Sequence, residues 1–178
     1  MNQQQVTYSY IWAFMKKILH RIILFLMFLI LPAVYMHANA QQFDKASYYE
    51  VMRNGSIEAI DQQSMILLAS SDENKDAYTG ALLMKKAGLI KGASKKLNVF
   101  KEGSKKLEAR IEKENKNAEL RFLRLMIQEH APGILNYRSD INADARIVHN
   151  SFKNFPPAVQ AAVLDYRKQS NTLQQLNF

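Results

Sequence analysis

The sequence predicts an all-α fold of six or seven helices that are joined as antiparallel hairpins by short loops. Three observations lead to this prediction. After Phe43, apolar residues recur at helical spacing, and no stretch alternates apolar and polar residues over the length of a strand. No Asn-Gly-type turn separates two apolar runs. Glycine is also sparse, with 6 in 178 residues, as expected for helices with short connections.

The first two predicted helices begin at residues that favour a helix N-terminus. Asp44 is a candidate cap for a first helix over residues 44–53, and Ser56 is a candidate cap for a second helix that ends near Ala69. Apolar residues recur at helical spacing along the second helix. We therefore expect it to bury one face.

The third and fourth predicted helices cover residues 73–87 and 93–114. Small residues on one side of the third helix allow another helix to approach closely, and this side consists of Ala77, Gly80, Ala81, Met84 and Gly88. The fourth helix carries an apolar stripe formed by Leu97, Phe100, Leu107 and Ile111. Both patterns predict packing against neighbouring helices.

The fifth predicted helix, residues 118–130, is the most apolar, so we expect a central position for it. A sixth helical stretch follows from residue 134 to residue 152, either unbroken or divided near Asn142 and Asp144. Pro157 begins the last helix, because proline suits the first helical position. We expect these helices to form a single domain over residues 41–170, followed by a polar tail over residues 171–178.

The N-terminal region has the composition of a secretory signal peptide. Three positive charges in residues 15–21 precede an apolar run over residues 22–36. Ala38 and Ala40 then follow in the A-x-A spacing that a signal peptidase accepts. The sequence therefore predicts an exported chain with a periplasmic or secreted location.

The predicted signal peptide covers residues 1–40 and is cleaved after Ala40, with Met15 as an alternative translation start. An uncleaved membrane anchor is the competing interpretation. A spanning helix needs about 20 apolar residues, whereas this run is shorter and contains Pro32. We therefore expect cleavage.

Composition narrows the functional classes. The chain has no cysteine, which excludes disulfides, thiolate metal sites and a lipid-modified cysteine. Three of the 24 Lys and Arg precede residue 40, whereas all 16 Asp and Glu follow it, so the net charge falls from +8 for the whole chain to +5 for residues 41–178. This modest charge and the predicted export argue against a nucleic-acid partner.

Residues 103–119 resemble part of a tetratricopeptide repeat. Gly103 matches the small position of the second repeat helix, Leu107 matches the large apolar position four residues later, and Asn117-Ala118 matches the loop and restart. Arg110 and Asn115 depart from the pattern, since the family has a small residue and a proline there. The resemblance implies a degenerate repeat-like or solenoid-like helical scaffold that binds a peptide or protein partner.

A run of eight lysines spans residues 85–106. One interpretation is binding to an anionic membrane or glycan, and its candidate residues are Lys95, Lys96, Lys105 and Lys106. The alternative is that the lysines solvate the outer faces of two helices.

The fifth helix carries a polar stripe formed by Arg121, Arg124 and Gln128. Two arginines cannot stay unpaired in a protein interior, because a buried lone charge is costly. They either face a groove that binds a partner, with Tyr78 and Tyr137 as groove aromatics, or pair with carboxylates such as those of Glu119 or Glu129.

No catalytic motif is recognisable. The mature chain has two histidines, His130 and His149, without the spacing of a zinc helix, and it has neither a glycine-rich phosphate loop nor a Gly-x-Ser-x-Gly elbow. We therefore predict a non-enzymatic binding or scaffold module without a metal or cofactor. Its expected partner is a protein or peptide, and an anionic membrane surface is the alternative.

Overall fold

The computed structural model describes Trp12, residues 15–22 and residues 43–178. The chain divides into two units, Met1–Ala40 and Gln41–Phe178. In the first unit, residues 15–22 are helical. Nearly all of the apolar run predicted for the signal peptide, and its cleavage site, lie outside the described residues. No helix of the described part is both long and apolar enough to cross a membrane.

Residues 43–178 contain seven α-helices and no strand, which confirms the all-α prediction. Three short 3₁₀ segments accompany the helices, at Gly133–Leu135, Phe152–Asn154 and Leu173–Gln175. The α-helices are α1 (Lys45–Asn54), α2 (Ile57–Ala69), α3 (Lys75–Leu89), α4 (Ala93–Lys113), α5 (Ala118–His130), α6 (Ile141–Ser151) and α7 (Pro157–Arg167).

The helix boundaries follow local chemistry. The side chain of Asp44 accepts hydrogen bonds from the first amides of α1, and that of Ser56 accepts one from α2. Asn117 caps α5 in the same way, and Pro157 occupies the start of α7. These side chains satisfy amides that have no partner within the helix.

Helix α5 is the centre of the domain. Ten of its 13 residues are buried, and it packs against α3, α4, α6 and α7. A helix with apolar residues around most of its circumference requires neighbours on several sides. The central position predicted from its composition is therefore what the structure shows.

Helices α3 and α4 cross at two glycines. A Cβ atom on Gly80 would lie 2.6 Å from the backbone oxygen of Gly103, and one on Gly103 would lie 2.5 Å from the oxygen of Gly80. Two hydrogen bonds show that the helices run antiparallel. Arg110, late in α4, donates to the side chain of Asn74 just before α3, and Lys96, early in α4, donates to the backbone oxygen of Gly88 late in α3. The predicted close packing is thus found at Gly80.

The region after α5 differs from the predicted sixth helix. A 3₁₀ turn ends at Asn136, whose φ of 48° is left-handed, and α6 begins only at Ile141. Asparagine tolerates this backbone conformation better than most residues. The chain is therefore interrupted before Asn142 and Asp144, and both lie within α6.

The last residues also differ from the predicted polar tail, because they pack onto the domain. Leu173 is fully buried, and the ring of Phe178 packs against those of His149 and Phe152. The carboxylate of Glu129 accepts hydrogen bonds from Ser170 and Thr172. Apolar residues inside a polar segment hold it in place.

Candidate functional site

The predicted polar stripe of α5 meets carboxylates of the same chain. Arg124 is buried, and its guanidinium forms two hydrogen bonds with Asp144 on α6, at 2.7 and 2.9 Å. It also lies 2.9 Å from Glu108 on α4 and 3.4 Å from Asp140. Burial raises the pKa of Asp144, and the hydrogen bonds from Arg124 oppose that change. These charge-assisted contacts of Arg124 hold α4, α5 and α6 together.

The rest of the stripe joins the same cluster. Arg121 lies 3.8 Å from Asp144, and Gln128 donates to Asp140 at 3.4 Å. Tyr137 donates a hydrogen bond to Glu108, and burial raises the pKa of this tyrosine. The structure therefore brings Arg121, Arg124, Gln128 and Tyr137 together around three carboxylates.

Tyr78 belongs to a separate buried cluster centred on Glu119. The carboxylate accepts hydrogen bonds from Tyr78 at 2.8 Å and from Tyr49 at 3.0 Å, and it pairs with Lys45 at 2.5 Å. Burial and the charge of Glu119 raise the pKa of Tyr78. This cluster joins α1, α3 and α5.

Both arginines lie near carboxylates of the same chain, but not near those expected. Arg124 is hydrogen-bonded to Asp144, whereas Arg121 lies 3.8 Å from Asp144 and its buried Nε has no hydrogen-bond partner among the described residues. Glu119 and Glu129, the partners suggested by sequence proximity, instead hold α1 and the C-terminal segment. The reason is that Asp144, although 20 residues away in sequence, faces α5 when α6 packs on it. The role of these side chains in partner binding stays a prediction.

The lysine run divides between two surfaces. On α4, Lys95 and Lys105 are exposed and Lys106 is half-buried. None of these three lysines lines an apolar cleft that the ends of several helices form. Lys96, the immediate neighbour of Lys95, lies at the rim of that cleft. Binding of the four lysines to an anionic surface stays a prediction.

An apolar cleft of about 810 Å³ lies where several helix ends meet. Its walls come from the ends of α1, α3 and α5, the beginning of α4, the loop after α5, and residues near the end of α7. The apolar side chains that line it include Met52, Met84, Leu97, Phe100, Met126, Ile127 and Leu135. This volume lies within the range of sites for small organic ligands.

Three large apolar side chains at the cleft are exposed to solvent. Ile134 is 94% exposed, Leu89 is 47% exposed and Leu97 is 38% exposed. Leu97 was expected on the buried stripe of α4 but lies at the cleft instead. Apolar surface left in water is costly, so this opening is suited to contact with an apolar group.

Gly88 provides space within the cleft. A Cβ atom added there would have no neighbouring atom within 4 Å, although the small-residue pattern of α3 placed Gly88 on the predicted packing side. The difference follows from helix geometry. Gly88 stands eight residues after Gly80, which on an α-helix of 3.6 residues per turn directs it about 80° away from the crossing with α4.

The ionisable groups of the cleft are basic. Arg53, Lys85, Lys96 and His130 line it, and no Asp or Glu of the described residues does. Lys85 is half-buried, and this loss of hydration lowers the pKa of its amine. An anion beside it would favour the charged form.

Sequence reasoning did not find this site, although two loops contained a signal. The segments GLIKGA at 88–93 and APGIL at 131–135 place large apolar residues beside glycine and proline, where connecting loops are usually polar. A search for apolar residues at helical spacing misses these residues, because they lie at or beyond the ends of helices. Their convergence depends on the packing of α3 against α5.

No group of three or more metal-ligating side chains occurs within the described part of the chain. His130 lies at the cleft and His149 contacts the C-terminal segment, so the two histidines are in different places. No family model, curated protein or solved structure significantly matches the chain.

Proposed function

We propose that the chain is an exported, non-catalytic helical binding module and that the cleft at the ends of α3 and α5 is its binding site. The observation that carries this proposal is an apolar cleft of about 810 Å³ with exposed Leu89, Leu97 and Ile134 at its edge. Filling it removes apolar surface from water, at about 25 cal/mol for each Å². An apolar ligand is therefore the class that the lining favours.

The resemblance of residues 103–119 to a tetratricopeptide repeat supports a binding role independently, since such scaffolds bind partners. It suggests a protein or peptide ligand, as the sequence predicted. The degenerate, solenoid-like arrangement of the hairpins that the resemblance implies also remains part of the proposal. The cleft supports the narrower hypothesis that the group it receives is apolar, whichever molecule carries it.

Titration of the purified protein with N-phenyl-1-naphthylamine, a neutral dye that fluoresces in apolar surroundings, tests the proposal. We expect a saturable rise in fluorescence. Gly88→Leu should weaken dye binding about tenfold, the effect of removing about 1.4 kcal/mol of binding free energy, because leucine occupies the open space beside Gly88. The substitution should not harm folding, since leucine favours a helix more than glycine does.

Ala109→Leu is the matched control. Ala109 is exposed on α4 and does not line the cleft, so a leucine is introduced there as well, but away from the site. Dye binding should be unchanged in this variant. An absence of saturable binding, or equal binding by Gly88→Leu and the unaltered protein, would contradict the proposal.

A further inference from the structure

We propose that the cleft binds a fatty acid, with the alkyl chain along the apolar lining and the carboxylate on Lys85 and Lys96. This inference rests on the proposed function, because it names the ligand class of the same cleft. Three observations support it: the position of the two ammonium groups, the absence of acids among the described lining residues, and the helical walls.

Lys85 is a cation without an acidic partner among residues 43–178. Its Nζ donates to the backbone oxygen of Arg53 at 3.1 Å, and the amine is half-buried, which lowers its pKa. A partly dehydrated ammonium gains more from a neighbouring anion than one in bulk water does. A carboxylate at this position therefore has a strong partner.

Lys96 lines the same cleft as Lys85. Its Nζ is 3.4 Å from the backbone oxygen of Gly88, and Gly88 follows Lys85 by three residues on α3. Residues three apart are neighbours on a helix surface, so Lys96 reaches the part of α3 that carries Lys85. Lys96 likewise has no acidic partner among residues 43–178.

Arg53 also lines the cleft, but its charge is already compensated. Its guanidinium pairs with Glu50 and lies 3.0 Å from Asp165. These two carboxylates line a neighbouring cavity of about 200 Å³ formed by residues of α1, α5 and α7. These acids line the neighbouring cavity and not the cleft, so Lys85 and Lys96 are the lining lysines and arginines without an acidic partner among residues 43–178.

The walls favour an alkyl chain over an extended peptide. The described residues around the cleft are helical or lie in short turns, and no strand edge is present among them. An extended peptide requires partners for its backbone amide groups, and an apolar lining provides few. An alkyl chain has no such requirement.

Three probes with the same decyl chain, decanoate, decanol and decyltrimethylammonium, test the inference by displacing the neutral dye from the purified protein. Decanoate should act at about tenfold lower concentration than decanol, as expected for one charge interaction near a protein surface. Decyltrimethylammonium should be the weakest. The double substitution Lys85→Met and Lys96→Met should abolish the advantage of decanoate and leave displacement by decanol unchanged.

Lys101→Met with Lys105→Met is the matched control, because it removes the same charge from exposed positions of α4. Decanoate should retain its advantage there. Equal displacement by decanoate and decanol would overturn the fatty-acid inference while dye binding upheld the proposed function. An equally large loss of the decanoate advantage in the control variant would also overturn the fatty-acid inference. The same holds if an acidic amphipathic peptide displaces the dye at a lower concentration than decanoate does. Exclusion of the dye and every probe by a dimer would assign the cleft to a second copy and overturn both proposals.

Discussion

At the scale of single residues, Arg124 shows how a buried charge is accommodated. Its guanidinium is desolvated, and the carboxylates of Asp144, Glu108 and Asp140 surround it. The attraction within such a group offsets the loss of hydration only while the group is complete. The stability of the domain is therefore expected to fall when any one of these residues is substituted.

Arg124→Met should lower the free energy of unfolding by about 3–5 kcal/mol, because it leaves the buried Asp144 without its main partner. Adding Asp144→Leu to the same chain should recover part of the loss. Urea denaturation of both single variants and the double variant measures the coupling.

Arg138→Met provides the control for this series, since Arg138 is exposed and such substitutions usually change stability by less than about 0.5 kcal/mol. A loss below about 1 kcal/mol in Arg124→Met would show that the ion pair is not a structural element. In that case the interpretation of Arg124 as a partner-binding residue would gain support.

At the scale of helices, the spacing between α3 and α4 depends on whether a side chain stands at their contact. Gly80 and Gly103 allow the two backbones to touch, whereas a Cβ atom at Gly88, which lines the cleft, would have no neighbouring atom within 4 Å. Two glycines of the same helix thus have different roles, one at the close crossing and one beside the cleft.

Gly80→Ala should destabilise the domain by about 1–3 kcal/mol, because the new Cβ meets backbone atoms that move only if the helices separate. Gly88→Ala is the matched substitution in the same helix. It meets no atom within 4 Å and should stabilise the domain by up to about 1 kcal/mol through helix propensity. Thermal and urea unfolding measure both changes, and stabilisation by both substitutions would contradict the close crossing.

At the scale of the whole domain, the two ends of residues 43–178 are tied into one body. Helix α1 packs against α7, and Arg53 on α1 pairs with Asp165 on α7 at 3.0 Å. Leu173 and Phe178 extend the packing to the last residues. A domain whose first and last elements are in contact is expected to unfold in one cooperative transition.

Leu173→Ala should therefore lower the global free energy of unfolding by about 2–4 kcal/mol. Backbone and tyrosine circular dichroism of this variant should report one common midpoint. Gln175→Ala, at an exposed position of the same segment, should stay within about 0.5 kcal/mol. An unchanged midpoint in Leu173→Ala would mean that residues 171–178 fray as a tail. Two separated transitions would mean that the helices unfold in parts.

The predictions from sequence were most accurate where the determining interactions are local. The caps at Asp44 and Ser56 satisfy amides within three residues of themselves, and the composition of α5 already required neighbours on most sides. The prediction of the sixth helix was less accurate. The left-handed backbone of Asn136 interrupts it, and this conformation is one of several that asparagine adopts. The helical class and most helix boundaries thus followed from short-range chemistry.

What the sequence determined by itself is the set of helices after Phe43, because periodicity and capping act within a few residues. The tertiary structure alone decided which carboxylate pairs with Arg124, and it alone brought the loops at 88–93 and 131–135 to one cleft. Lys95 and Lys96 illustrate the difference, since neighbouring residues on a helix point about 100° apart. Which of the two borders the cleft depends on the neighbours that pack beside α4, and those lie far away along the chain.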